Sequence, residues 1–186
     1  LATDHSQERI ANRISDNLSK ALHALEIESA RILDSSQPVK WSELTGSHFL
    51  MDSLQVIAWS DHEFLPDVRQ MRTDFKLKLI RNSSGDFLLR KQISGPSGFL
   101  ISVLPLYKKY PIVNRYLTPQ INPLIFEKFN VRILDPLATD GLKINFEGQT
   151  LFVIDMLDSN GKDMISLSLA LLALIFFILS VIHFLR

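Results

Sequence analysis

The chain has 186 residues, 46% of them hydrophobic, enough for one sizeable domain rather than two. Lysine plus arginine number 20, matched by 20 aspartates and glutamates, and no basic tract occurs, so the chain lacks the electrostatic footprint of a nucleic-acid binder. Cysteine is absent, which excludes disulfides, thiolate catalysis and cysteine-ligated zinc.

The chain opens at Leu1 in polar sequence without a secretory-signal pattern, as expected of a fragment or a processed protein. Residues 4–34 follow a helical period. Ile10, Ile14, Leu18, Ala21, Leu22, Leu25, Ile32 and Leu33 recur mainly at steps of three and four. Asp4 is the expected N-cap, with Gln7 three residues on. Glu28 interrupts the apolar stripe. The second half of the helix is expected to pack within the domain. The first half fits either that role or a coiled-coil partner. The DSSQP stretch at 34–38 ends the helix.

The period then changes. Two short apolar runs, 48–51 and 54–59, flank Asp52 and Ser53 and predict a strand–turn–strand. A second pair is predicted around the turn at 82–85, with Phe75, Leu77 and Leu79 leading in and residues 87–93 returning. After a GPSG turn, the apolar run 99–107 predicts a central strand covered on both faces, with Pro105 limiting its pairing. The proline-punctuated stretch 107–123 predicts a long irregular loop, a place where function is often carried. Strands are predicted at 129–135 and 148–156, with a shorter one near 142–146. A DSNGKD linker follows.

Residues 164–185 contain no Asp, Glu, Lys or Arg. As a helix this run would rise about 33 Å at ~1.5 Å per residue, against a hydrocarbon core of roughly 30 Å. A membrane span is expected there, with His183 near the headgroups. Arg186 follows the run, which by the positive-inside rule places residues 1–163 outside the cytoplasm.

Motif chemistry is sparse. His62 in WSDHEFLPD is followed by Glu63 but meets Pro66 where a zinc-binding helix needs its second histidine. Pro66 also arrives one residue early for a phosphoacceptor-histidine pattern. His5, His23, His48 and His183 form no ligand-spaced cluster, so no metal or cofactor is expected. Neither a glycine-rich phosphate loop nor a nucleophile elbow is present. Asn17 and Asn82 open glycosylation sequons of a kind that arise by chance. Two segments hold candidate ligand contacts. Trp59 closes an apolar strand and runs into Ser60 and Asp61, the pattern of a core residue or of a pocket wall. In the other, Tyr107, Tyr110, Asn114, Arg115 and Tyr116 cluster beside Lys108 and Lys109. Arg115 suits a carboxylate or phosphate clamp, or a structural ion pair.

At these segments the chain resembles the extracytoplasmic domains of bacterial membrane-bound sensor histidine kinases. VIAWSDHEF is similar to their strand end, with His62 where the pattern carries Asn. VLPLYKKYPIVNRYL places Tyr110, Asn114, Tyr116 and Leu117 in matching positions, and FEGQTLFVID matches a later strand, with Glu147 as the acidic residue. The likeness covers about residues 49–154 and the apolar run behind them. It implies a periplasmic sensor domain at the inner membrane, a PAS-like fold, a small-molecule or envelope signal and a homodimer. The kinase core would lie past Arg186, so this stretch would not itself be an enzyme. The rival expectation is a tail-anchored protein whose cytosolic domain binds a protein partner. The fold expected is α+β: an N-terminal helix over 1–37, a mostly antiparallel sheet of five or six strands within 38–163, and a transmembrane helix over 164–185.

Overall fold

The computed structural model describes residues 2–34, 38–52, 55–60, 64, 67–94 and 98–157. The expected membrane helix at 164–185, and Asp61, His62, Glu63 and Pro66, lie outside these residues. Among the described residues no helix is long and apolar enough to cross a membrane.

Helix α1 spans Ala2–Leu33. Asp4 therefore lies inside the helix, not at the expected cap. The stripe read from the sequence is the face that packs: Ala11, Ile14, Leu18, Leu22, Leu25 and Ile32 are all buried. A leucine fully removed from water contributes about 2 kcal/mol, so this face alone accounts for why the helix docks. Both halves are used within the domain, because Ile14 and Leu18 join the same core as Leu22 and Leu25.

The larger sheet is antiparallel throughout. Strands β1 (Ser47–Met51) and β2 (Val56–Trp59) form the first hairpin, and β3 (Leu77–Asn82) and β4 (Gly85–Ser94) the second. Strand β5 (Gly98–Lys108) lies between β1 and β4, giving the order β2-β1-β5-β4-β3. A short β6 (Gln120–Ile121) pairs with the far end of β5. Residues on alternate sides of β5 enter different cores, as expected of a strand covered on both faces. Leu104 and Leu106 pack with α1. Phe99, Ile101 and Val103 pack with Phe49, Met51, Phe64 and Met71, the last from the short helix α2 (Val68–Arg72). At Pro105 the pairing slips. Phe87 faces Pro105 while Asp86 faces Tyr107, so Leu106 is the extra residue of a bulge.

A second antiparallel sheet follows helix α3 (Pro123–Phe126): β7 (Val131–Leu134), β8 (Leu142–Phe146) and β9 (Gln149–Met156), in the order β7-β9-β8. Glu147 (φ 49) and Gly148 (φ 78) make the two-residue turn between β8 and β9, which needs left-handed backbone at both positions. The described residues thus hold nine strands in two sheets, not five or six in one. Eight of the nine coincide with predicted runs; β6 is too short to show a period, and β7–β9 form a layer of their own rather than joining the larger sheet. Phe126, Phe152, Ile144 and Ile154 join α1 in one core, so both sheets bury against the same helix.

Two polar contacts fix the direction in which α1 runs. Ser29 meets Ser102 in the middle of β5. Asn17 reaches the Ile125 carbonyl, just past Asn122, whose backbone N–H binds Leu106. The N-terminal part of α1 therefore lies at the end of the molecule where β5 finishes.

Candidate functional site: a cleft between the two sheets

At that same end the sheets part to leave a cleft of about 650 Å³, within the range of small-ligand sites. Its walls come from Arg81 and Asn82 at the end of β3, Asp86 of β4, Tyr107 and Lys109 at the end of β5, Pro119, Ile121, and residues 129–133 and Leu157. Hairpin closure sets Arg81 opposite Asp86. Their side chains pair at 3.5 Å, and Arg81 Nη2 donates to the Ile133 carbonyl across the gap at 2.9 Å. Burial pushes the Asp86 carboxyl up from its ordinary value, while the charges of Arg81 and Lys109 pull it down less strongly. The turn needs Gly85 (φ 141), where a Cβ would stand 1.9 Å from the Tyr107 carbonyl oxygen. A part-buried carboxylate, three cations and a phenol lining one cavity can orient a small polar ligand through charge and hydrogen bonding.

The residues singled out in the sequence do not converge on this cleft. Tyr107 lines it. Tyr110 lines a smaller hollow beside Pro105 and Asn122. Asn114 is a turn former, its Oδ1 accepting from the N–H groups of Tyr116 and Leu117 at 2.9 Å each. Arg115 bonds the Tyr116 hydroxyl and stacks on its ring, in a loop fully open to solvent. Trp59 ends the edge strand β2, 47% exposed. It pairs with Phe49, which pairs with Ile101, six residues before Tyr107 and so about 20 Å away along the strand. Asp61, its expected companion, lies outside the described residues. The sequence reading missed Arg81, Asp86 and Arg132. Their one signal was their place beside the turn at 82–85 and in a predicted strand.

A second polar group was also missed. Glu28 points at the sheet, where its Oε1 accepts from Thr45 N and Oγ1 and its Oε2 accepts from Gly46 N. His48 Nε2 lies 3.0 Å from Glu28 Oε2, and Nδ1 lies 2.8 Å from Ser102 Oγ. Ser29 Oγ lies 2.7 Å from both Ser102 Oγ and the Leu25 carbonyl oxygen and shares its one hydroxyl proton between them. Burial pushes the Glu28 carboxyl up, but bonds from His48, Thr45 and Gly46 outweigh this and bring it down to about 2. Burial lowers His48 against the raising effect of Glu28, so the ring is neutral at pH 7 and donates from Nε2. The order Ser102–His48–Glu28 is that of a hydrolytic triad, but Ser102 and His48 are 0% exposed and no substrate reaches the hydroxyl. Beside them, Arg90, the cross-strand partner of Ser102, pairs with Glu26 at 2.6 Å. The result is a polar row that fixes α1 on the sheet.

Asn17 gives its amide to Ile125 and Glu127, so this sequon is occupied by internal bonds. Among the described residues no group of three His, Cys, Asp or Glu is placed to hold a metal ion. No family model, curated protein or solved structure matches the chain.

Proposed function

We propose that this chain is the signal-sensing input domain of a transmembrane receptor of the two-component histidine kinase kind. In this proposal residues 1–163 stand outside the cytoplasm of a bacterial inner membrane, residues 164–185 cross it, and a kinase core follows. The observation that carries the reading is the direction of α1 relative to the exit from β9. From Ser29 at mid β5 to Asn17 beside Ile125, α1 runs back towards the end of the molecule where Leu157 leaves β9 and the cleft opens. A domain with both connections at one end can sit on a membrane and pass a change at the cleft into them. The long helix leading into an antiparallel sheet agrees with the PAS-like part of the resemblance.

The signal would be a small molecule bound between the sheets, shifting β3 against β7 and with them α1. A ligand that prefers one arrangement 100-fold supplies about 2.7 kcal/mol, so two signalling states must lie that close. The receptor would work as a homodimer. Fusion of a reporter enzyme active only outside the cytoplasm tests the reading. In the full-length receptor, activity is expected when it is inserted after Leu157 and absent when it is inserted after Arg186. The reverse pattern overturns the proposal.

A further inference from the structure

We propose that the loop 110–119 is a lipid-surface anchor that lays its apolar tip into the headgroup boundary of an anionic bilayer. The proposal rests on the membrane reading above. Every residue from 111 to 120 is exposed. Within it Ile112, Val113, Tyr116 and Leu117 make four exposed large apolar side chains among six consecutive residues. Single exposed apolar residues are ordinary on protein surfaces, but a contiguous group marks a contact. Asn114 Oδ1 accepts from the N–H groups of Tyr116 and Leu117, which holds the turn, and the apolar side chains stay exposed.

Charge points to the partner. No aspartate or glutamate occurs from 87 to 126, while Lys108, Lys109 and Arg115 flank or occupy the loop. Arg115 stacks on the Tyr116 ring at 4.6 Å, keeping a cation at the tip beside an aromatic. Aliphatic and tyrosine side chains with basic residues, and no acid within the loop itself, are the chemistry of a membrane interface rather than of a neutral protein surface. Position agrees. Lys109, Pro119 and Leu157 line one cleft, so the loop root lies beside the point where the chain leaves β9. Residue 164, where the apolar run begins, follows Leu157 by a stretch of at most about 25 Å when extended.

The chain contains no cysteine, so single thiol labels can be placed cleanly. Val113→Cys and Ile93→Cys are equivalent sites in opposite places. Val113 is 62% exposed on the loop. Ile93 is 82% exposed and pairs with Phe99, at the start of β5. Each variant of the full chain is reconstituted in vesicles containing phosphatidylglycerol and carries an environment-sensitive fluorophore. Quenching by lipid-borne quenchers is expected to be several-fold stronger at Val113→Cys than at Ile93→Cys, and to fall when Arg115→Glu is added. Equal quenching at the two sites, in a chain that stays with the vesicles through alkaline carbonate, overturns the anchor and leaves the span intact. Release of the chain by carbonate overturns the membrane reading and the anchor with it. Equal quenching in purely phosphatidylcholine vesicles overturns the preference for an anionic surface.

Discussion

His48 Nε2 stands 3.0 Å from Glu28 Oε2, joining the residue that breaks the apolar stripe of α1 to the second residue of β1. The contact closes a chain of bonds through Ser102 and Ser29 back to the same helix. A helix held only by leucines can slide or roll at little cost. One held by buried polar partners loses those partners if it moves. Replacing His48 by Ala leaves Ser102 and Glu28 short of a partner in a buried place. The expected loss is about 2–4 kcal/mol in urea unfolding, from the cavity and the stranded polar atoms together. A change within experimental error would mean that water replaces the ring.

Acid should loosen the domain in two windows. The Glu28 carboxyl titrates at about 2 in the fold against 4.5 for the free group. Its contribution is fully present above the free value and disappears as pH falls towards about 2, an effect of about 3 kcal/mol at most. His48, lowered from 6.5, takes a proton more readily when unfolded, so stability also begins to fall below that value. Asp86 has the opposite sign. Its raised carboxyl favours the fold at low pH and costs stability as pH rises through its folded value. Melting temperatures followed from neutral to about pH 3 should decline in the parent chain and flatten in the lower window for Glu28→Gln. An equal decline in that variant would assign the acid sensitivity elsewhere.

Gly46→Ala should mimic the loss of His48. A Cβ at Gly46 would stand 2.8 Å from both Glu28 Oε2 and His48 Nε2, and 2.9 Å from Leu25 Cδ1. The methyl has to displace the pair itself. The two substitutions combined should therefore cost less than the sum of each alone, by more than the ~0.5 kcal/mol seen for independent sites. Simple additivity in a double-mutant cycle would show that the methyl is accommodated without moving the pair.

Arg81→Ala removes the bond from β3 to the Ile133 carbonyl of β7, the direct side-chain tie across the cleft at this point. The expected cost is modest, about 1 kcal/mol, because the guanidinium is partly solvated. The sharper readout is Asp86. Deprived of the Arg81 charge that pulls its carboxyl down, it should titrate higher still in an NMR pH series. An unchanged or lower Asp86 titration would remove Arg81 from the electrostatics of the site.

The secondary structure was mostly legible because period and punctuation are local. Steps of three and four marked α1, and the turn at 82–85 marked the hairpin of β3 and β4. The nearly unbroken apolar run marked β5 as the strand between two cores. The elements that escaped the sequence, α2, α3 and β6, have two to five residues each, too few to show a period. Site residues were harder to find. The cluster chosen from 107–117 was close in sequence. Tyr107 is on β5 and reaches the cleft with the neighbouring Lys109, while Tyr110 and Tyr116 lie off it.

By itself, then, the sequence determined that a long amphipathic helix precedes antiparallel strands, that thiol chemistry is absent, and that an apolar run comes last. These depend on residue type and on spacing within one element. Tertiary structure decided which polar residues meet. Glu28, His48 and Ser102 lie far apart in the chain, as do Arg81 and Ile133, and each set is joined only where separate strands and a helix pack. Seen alone, Glu28 is a flaw in an apolar stripe. Packed against β1 it is partly buried with its partners supplied, because a carboxylate can leave water only where hydrogen-bond donors await it.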